Sequence, residues 1–252
     1  LGKTADAERY ESRAAEVKKA FNERFFDRRT LKYDRNSQAA NAMALYMGLV
    51  EPQYEEVVLK NLIDDIRGRG NAVTAGDIGY RYRGASDALF DMNSRYDVPG
   101  YGYQIAMGET ALAESWQSRD YLSNNHCMLG HLYSWLFSGI GGISQESGST
   151  AYKRIVIDPQ IVGDLRDARV SFRSPYGLIR SEWKDAPDEF VQTIEIPANA
   201  TARICLPATD PAKVTESGKP VSGRKDMAVE SGTDGRIELH VGSGVYRIAV
   251  EK

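Results

Sequence analysis

The sequence is poor in several features that would place it in a specialised class. Its 252 residues include two cysteines, Cys127 and Cys205, which lie in different halves without the spacing of metal ligands. They are expected to be small buried hydrophobic residues, with a disulfide between them as the less favoured alternative. The formal net charge is -3, which gives no electrostatic reason to expect a nucleic-acid partner. No apolar run approaches the roughly 18 residues of a membrane span.

An initiator methionine and a signal peptide are also missing from the start of the sequence. The opening residues are typical of a chain entering a helix. This suggests an N-terminus made by truncation or processing, and it leaves the compartment unassigned. What is present, 42% hydrophobic and 27% charged residues, is typical of a globular protein of one large domain or two ordinary ones.

Apolar residues recur at spacings of three or four through the first half, which predicts helices. The first predicted helix presents Tyr10, Val17 and Phe25 on one face, with Thr4 as its candidate N-cap. The other predicted helices cover about Ser37–Val50 (apolar face Ala39, Met43, Tyr46, Met47 and Val50), Pro52–Gly68, about Tyr80–Met92 and about Asn125–Ser138. The segment Asn93–Asn124 is predicted to be a long loop, and its aromatic residues, glycines and proline favour a functional one.

After about Thr150 the apolar period changes to two, which predicts short strands. Alternating residues such as Ile237, Leu239 and Val241 recur between turn signals, as expected of an antiparallel β-sandwich. The Ser/Gly-rich stretch from Ser144 to Ala151 marks the boundary. The predicted domains are therefore residues 1–147, which are helical, and 148–252, which form the sandwich.

Carboxylates, amides and aromatic rings are concentrated between Tyr101 and His131, a composition that suits carbohydrate binding. Glycoside hydrolysis also needs a pair of carboxyl groups. Each of these residues also has an ordinary structural interpretation. Glu109 and Glu114 would face different ways on one helix, and each alone is typical of a surface charge. Trp116 and Trp135 are more often core residues, and His126, Cys127 and His131 are a weak metal pattern without further ligands. No metal or cofactor is predicted.

Taken together, the segments resemble the α-L-rhamnosidases of glycoside hydrolase family 78 over essentially the whole chain. The helical half carries the resemblance in Ser37–Val50, Val73–Gly79, Pro99–Gly102, Gly108–Trp116 and Ser123–Ile143, and the sandwich in Arg173–Gly177, Ser181–Trp183 and Ile196–Ala202. The resemblance implies part of an (α/α)6 barrel followed by an antiparallel β-sandwich. It also implies inverting hydrolysis of terminal α-L-rhamnosyl residues in a glycan or glycoside.

By position in these motifs, the resemblance implies that Glu114 is the general base. It places substrate binding on five further residues: His126, Trp116, Asn125, Tyr101 and Thr74. Many family members have a tryptophan directly before the base, where this sequence has Ala113; this difference concerns the shape of the sugar pocket. The family's Asp- and Arg-rich motif, which carries the general acid, has no match here. The chain is therefore expected to be a fragment that needs the N-terminal half of the barrel as its partner and to be inactive alone.

Two other function classes remain open from the residues. A different (α/α)6 enzyme, such as another exo-glycosidase or a polysaccharide lyase, could use His126 or Tyr101 as its base. Alternatively, the chain could be a non-catalytic piece whose sandwich binds sugars through exposed Trp183 and Tyr176. Burial of these two rings would instead favour a structural role.

Overall fold

The structure, a computed structural model, describes residues 2–74, 86–232 and 234–252. It contains two compact units, Leu1–Leu132 and Tyr133–Lys252. Helices dominate the first unit and strands the second, which confirms the predicted order of helical and antiparallel β-structure. Within the described ranges, no helix is long and apolar enough to cross a membrane.

The first unit contains short strands and 3-10 turns between its helices. Its elements are α1 Thr4–Phe25, β1 Phe26–Asp27, β2 Lys32–Tyr33, α2 Gln38–Tyr46, a 3-10 turn Pro52–Tyr54, α3 Glu55–Gly68, α4 Ser86–Asn93, α5 Tyr101–Ala106 and a 3-10 turn Cys127–Leu129. The helices predicted near residues 10–25, 37–50 and 52–68 are confirmed. The predicted helix Tyr80–Met92 is confirmed from Ser86 onward, and its first part lies outside the described residues.

Helix α1 is held by polar contacts and by the half-buried ring of Phe21, whose centroid lies 5.7 Å from that of Tyr33. Lys3, not Thr4, is its N-cap, and no side chain caps it, so the predicted cap is wrong. The buried residue is Asn22, whose amide donates to the carbonyl of Leu49 at 2.8 Å and whose oxygen accepts from the Tyr33 hydroxyl at 2.5 Å. Among the described residues, Tyr10, Val17 and Phe25 are exposed. The spacing of apolar residues predicts that they share a helix face, but it does not predict which neighbour covers that face.

Helix α2 buries a different face from the predicted one. Ser37 caps it, accepting a hydrogen bond from the Ala40 amide at 3.2 Å. Ala42 and Leu45 are buried, whereas Met43, Tyr46 and Met47 are exposed in the part of the chain that is described. The prediction failed because the buried face includes the polar residues Gln38 and Asn41, which hydrogen-bond to backbone groups of other segments, so that apolar spacing alone does not identify it. In α3 the predicted set is confirmed: Val58, Leu62 and Ile66 are buried.

The single helix predicted at about Asn125–Ser138 is wrong. The chain instead forms the 3-10 turn Cys127–Leu129, then α6 Leu132–Trp135, and then a π-helical turn Leu136–Ile140. The π-turn continues to Gly141, whose amide donates to the carbonyl of Leu136 at 2.9 Å. Apolar spacing does not distinguish these tighter and wider turns from an α-helix, because all of them place apolar residues three to five positions apart.

The second unit consists of two main sheets. The strands are β3 Ile143–Gln145, β4 Arg154–Ile157, β5 Asp167–Ser174, β6 Gly177–Asp185, β7 Glu189–Ile196, β8 Thr201–Cys205, β9 Val214–Glu216, β10 Lys219–Pro220, β11 Ala228–Ser231, β12 Ile237–Val241 and β13 Gly244–Glu251. One sheet has the order β10-β9-β13-β7-β6-β5 and the other β11-β12-β8-β4-β3. Among the described strands of this unit, the pairs are antiparallel except β4 with β8, which is parallel.

The core of the second unit follows the predicted alternation. Ile237, Leu239 and Val241 are buried. The turn at residues 242–243, between β12 and β13, does not form a hairpin. Strand β12 pairs with β8 in one sheet, and β13 pairs with β7 in the other. Trp183 is 2% exposed, and its ring N–H donates to the carbonyl of Ile140 at 2.8 Å. It is therefore a core residue and not an exposed sugar platform.

Candidate functional site

The predicted site residues belong to the first unit and come together through α5 and the irregular segments around it. Tyr101 is the first residue of α5, and its hydroxyl donates to the carbonyl of Leu129. Its ring meets Trp116 edge-on, with the ring centroids 5.0 Å apart. The structure therefore joins two predicted substrate-binding residues that are fifteen positions apart in the sequence.

Glu114 lies at the surface, in a segment of bends and turns. This irregular backbone agrees with the long loop predicted for Asn93–Asn124, but α5 interrupts that loop at Tyr101–Ala106 and the prediction is wrong there. Its amide donates to the carbonyl of Ser123 at 2.7 Å, and its carboxylate Oε2 accepts from the amide of Ser123 at 3.3 Å. Within the described residues, only one of the two Glu114 carboxylate oxygens, Oε2, accepts a hydrogen bond. Backbone groups that a helix would use internally are thus bonded to another segment, and the carboxylate is oriented while it stays open to solvent.

The segments 109–116 and 123–126 are joined at two further points. The side-chain amide of Asn124 donates to Glu109 Oε2 at 2.7 Å, and the backbone amide of His126 donates to the carbonyl of Leu112 at 2.8 Å. His126 is half-buried and Asn125 is exposed. The structure therefore places the predicted base segment beside the predicted sugar-binding histidine. The substrate-binding roles of His126 and Asn125 stay predictions.

Trp116 is 8% exposed. A sugar ring that stacks on tryptophan needs an accessible ring face. A ligand could therefore contact only the small exposed part of the Trp116 side chain. Its clearest contact is the one with Tyr101, through which it supports the turn next to Glu114. The predicted substrate-binding role of Trp116 stays a prediction.

Thr74 is exposed and is anchored by a buried glutamine of α2. Gln38 Oε1 accepts from the Thr74 amide at 3.1 Å, and Gln38 Nε2 donates to the carbonyl of Ala72 at 3.2 Å. The neighbouring amide of Val73 donates to the carbonyl of Pro99 at 2.9 Å. Thr74 is thereby held beside the segment that leads into α5. The rest of its motif, through Gly79, lies outside the described residues.

Gln104 is a residue whose position the sequence pattern did not reveal. It belonged to a cluster of amides expected to bind sugar hydroxyls, yet it is 3% exposed. Its Nε2 donates to the carbonyls of Ala113 at 3.4 Å and Ser115 at 3.2 Å, and its Oε1 accepts from the Ala113 amide at 3.3 Å. Gln104 thus contacts both neighbours of Glu114, and burial takes its amide away from any ligand.

The cysteines differ from each other. Both are free thiols; Cys205 is buried, as expected, and Cys127 is exposed, which contradicts the expectation for it. Burial raises the pKa of the Cys205 thiol to about 12. Across the described parts of the chain, no group of three or more His, Cys, Asp or Glu is arranged to hold a metal ion.

Comparison with known families matches almost the whole chain. Residues 1–140 match the model of the bacterial alpha-L-rhamnosidase 6 hairpin glycosidase domain, and residues 142–220 match that of the bacterial alpha-L-rhamnosidase C-terminal domain. The chain is 27% identical to an alpha-L-rhamnosidase of Streptomyces avermitilis, covering 99% of this chain and 25% of that protein. It is 26% identical to one of Formosa agariphila, covering 86% of this chain and 24% of that protein.

Solved structures show the same similarity. A crystal structure of the Streptomyces avermitilis alpha-L-rhamnosidase complexed with L-rhamnose superposes with a TM-score of 0.86 at 26% identity, over 97% of this chain and 24% of that one. The alpha-L-rhamnosidase from Dictyoglumus thermophilum gives 0.87 at 28% identity, over 100% and 29%. The chain therefore spans about a quarter of the length of these relatives.

Proposed function

This chain belongs to the bacterial α-L-rhamnosidase family, and from that membership we propose that it is the part of an inverting glycoside hydrolase that carries the general base, Glu114. The proposed substrate is a terminal α-L-rhamnosyl residue of a glycan or glycoside. A relative that was crystallised with L-rhamnose supports the choice of sugar. The reaction is that of the whole protein, of which this chain supplies one side.

The observation that carries the proposal is the arrangement at Glu114. An inverting enzyme needs a carboxylate that removes a proton from water as the water attacks the anomeric carbon, opposite the departing oxygen. Such a base must be open to water and fixed in direction. Glu114 has both properties, because it is exposed and its Oε2 is held by the amide of Ser123. His126, in the adjoining segment, is proposed to bind sugar hydroxyls.

The leaving oxygen must receive a proton from a second carboxyl group, about 6.5–9.5 Å from the first in inverting enzymes. Glu109 bonds to Asn124 and is not assigned this role. We assign the general acid to no residue of this chain, in line with the missing Asp- and Arg-rich motif. Hydrolysis is therefore proposed to require residues elsewhere in the full protein.

The test is hydrolysis of para-nitrophenyl α-L-rhamnoside by the full-length protein that contains this chain. Glu114→Gln should lower kcat by about 10²–10⁴-fold, as loss of a general base commonly does. Glu109→Gln is the matched control, since it removes a neighbouring carboxylate and should change kcat by no more than a few-fold. The isolated chain should release no product.

Three results would contradict the proposal. The first is a full-length protein that is inactive on rhamnosides. The second is a Glu114→Gln variant as active as the parent. The third is ultraviolet-absorbing product from a uronic-acid polymer, which would favour the lyase alternative. Loss of activity in Glu109→Gln but not in Glu114→Gln would move the base to Glu109.

A further inference from the structure

The backbone on both sides of Glu114 is bonded to one buried side chain, that of Gln104. The residue lies in α5, three positions after Tyr101, and residues at that spacing share a helix face. Tyr101 supports this side of the site through Trp116 and Leu129. Gln104 bonds instead to Ala113 and Ser115, the two residues that flank the proposed base.

The amide group of glutamine suits this position because it both donates and accepts. Its NH₂ donates to the carbonyls of Ala113 and Ser115, and its oxygen accepts from the Ala113 amide. Its own backbone carbonyl accepts from the amide of Glu109 at 3.0 Å. A glutamate would keep the acceptor and lose the donor, and a methionine of similar length would lose both.

Within the described residues, the segment 109–116 is also hydrogen-bonded to residues 123–126. Residues 109–116 form bends and turns, without the internal hydrogen bonds of a helix or strand. The bonds to Ser123 are made by Glu114 itself, whereas those to Gln104 are made by its two neighbours. Without Gln104, the buried backbone groups of Ala113 would lose their partner, and they would have to move to find another.

We propose that Gln104 is a positioning residue for the reaction: it fixes the direction of the Glu114 carboxylate by holding both neighbouring backbone groups, without touching substrate. The proposal rests on the proposed function of Glu114 as base. Misplacing a reacting group by about 1 Å can cost on the order of 10²-fold in rate. Loss of the Gln104 bonds should therefore reduce kcat while substrate binding through other residues continues.

The experiment compares Gln104→Met and Gln104→Glu in the full-length protein. We expect Gln104→Met to lower kcat for para-nitrophenyl α-L-rhamnoside by about 10–100-fold, with KM changed less than about three-fold. Gln104→Glu should be at least as damaging as Gln104→Met, because its buried carboxylate would face the carbonyl oxygens of Ala113 and Ser115 without a proton to donate. Hydrogen exchange at the amides of residues 113–115 should become faster in Gln104→Met.

Gln192→Met is the matched control. Gln192 is also fully buried, in β7 of the second unit, where its Nε2 donates to the Ser181 hydroxyl at 3.1 Å. This variant removes a buried amide of the same kind, whose hydrogen bond is to Ser181 of the second unit. It should leave kcat and the exchange of residues 113–115 as in the parent.

A double variant separates positioning from damage to the fold. If Gln104 acts through Glu114, adding Gln104→Met to Glu114→Gln should cause no further loss of kcat, because the group it positions is already gone. If Gln104 only stabilises the folded protein, the loss should persist in the double variant, and that result would overturn the proposal.

The remaining outcomes of the experiment also test the positioning role of Gln104. Parent-like kcat in Gln104→Met, with or without faster exchange, would refute positioning. A full-length protein inactive on rhamnosides would overturn the proposed function and the catalytic consequence together. In that case the exchange measurement would still decide whether Gln104 orders the 113–115 backbone, so that the two failures are distinguishable.

Discussion

Replacing Gly102 with alanine tests the close packing that sets the position of α5. A Cβ at this residue would lie 2.2 Å from the carbonyl oxygen of Arg95 and 3.3 Å from Cδ1 of Tyr96. Carbon and oxygen atoms in contact are normally separated by about 3.5 Å, so the two backbone segments would have to separate by about 1 Å. The obstructing atoms of Arg95 are its carbonyl oxygen and its carbonyl carbon, at 3.0 Å, which belong to the backbone and cannot move away by changing a rotamer.

Overpacking of this kind typically costs about 1–3 kcal/mol. Because α5 is short, the cost should appear as easier local opening of this region. Hydrogen exchange of residues 100–108, measured by mass spectrometry in the full-length protein, should be about 5–150-fold faster in Gly102→Ala. Since Tyr101 and Gln104 would shift with α5, kcat on the rhamnoside should fall as well.

Gly68→Ala is the control for this prediction. Gly68 ends α3, has no positive φ, and an added Cβ there meets no atom within 4 Å. Alanine should be neutral or stabilising there, by up to about 1 kcal/mol, because it favours the helix over the unfolded chain. Parent-like exchange of residues 100–108 in Gly102→Ala would refute the close approach of Arg95. Equal damage from both variants would show a general sensitivity to alanine.

Two further predictions concern reactivity and pH. Under native conditions at pH 8, a thiol reagent such as DTNB should modify exposed Cys127 quickly and buried Cys205 slowly, because burial raises the pKa of Cys205 to about 12 and keeps the thiol protonated; two equally fast thiols would contradict this. Burial acts to raise the pKa of Glu216, but hydrogen bonds from Ser217 and Arg224 outweigh it and hold the pKa below its ordinary 4.5. The ionised Glu216 carboxylate therefore stabilises the folded state fully above about pH 4.5, and this stabilisation is lost as the pH falls through the folded-state pKa. Acid unfolding of the C-terminal unit should accordingly depend less steeply on pH in Glu216→Gln. An unchanged acid-unfolding profile would exclude this carboxylate as a contributor.

The part of the fold that was predictable depended on strong local signals. The period-two pattern through Ile237–Val241 describes a strand with one covered face, and the structure buries the expected residues. The three-to-four spacing in α3 is equally direct, because Val58, Leu62 and Ile66 can meet only on one face. The same approach failed in α2, because its buried face includes Gln38 and Asn41, whose hydrogen-bond partners come from other segments.

Local signals were weaker around the candidate site. The motif that contains Glu114 is recognisable from its residue types, and its loop conformation is predictable, but the partners of its backbone are not. The structure bonds its backbone to Ser123 and Gln104. Ser123 lies nine residues from its partner Glu114, and Gln104 lies eleven residues from its partner Ser115. No periodic pattern in the sequence predicts such contacts.

The sequence alone determined the order of helical and β-structure, the helices α1 and α3, the strand Ile237–Val241 and the membership of the motifs in a family. These properties follow from residue spacing and residue identity, which are local. Only the tertiary structure decided that Gln104 and Gln38 are buried, that Trp183 lies in the core and that Glu114 stays exposed. A buried amide is stable only where particular backbone groups meet it, and those groups come together only when the chain has folded.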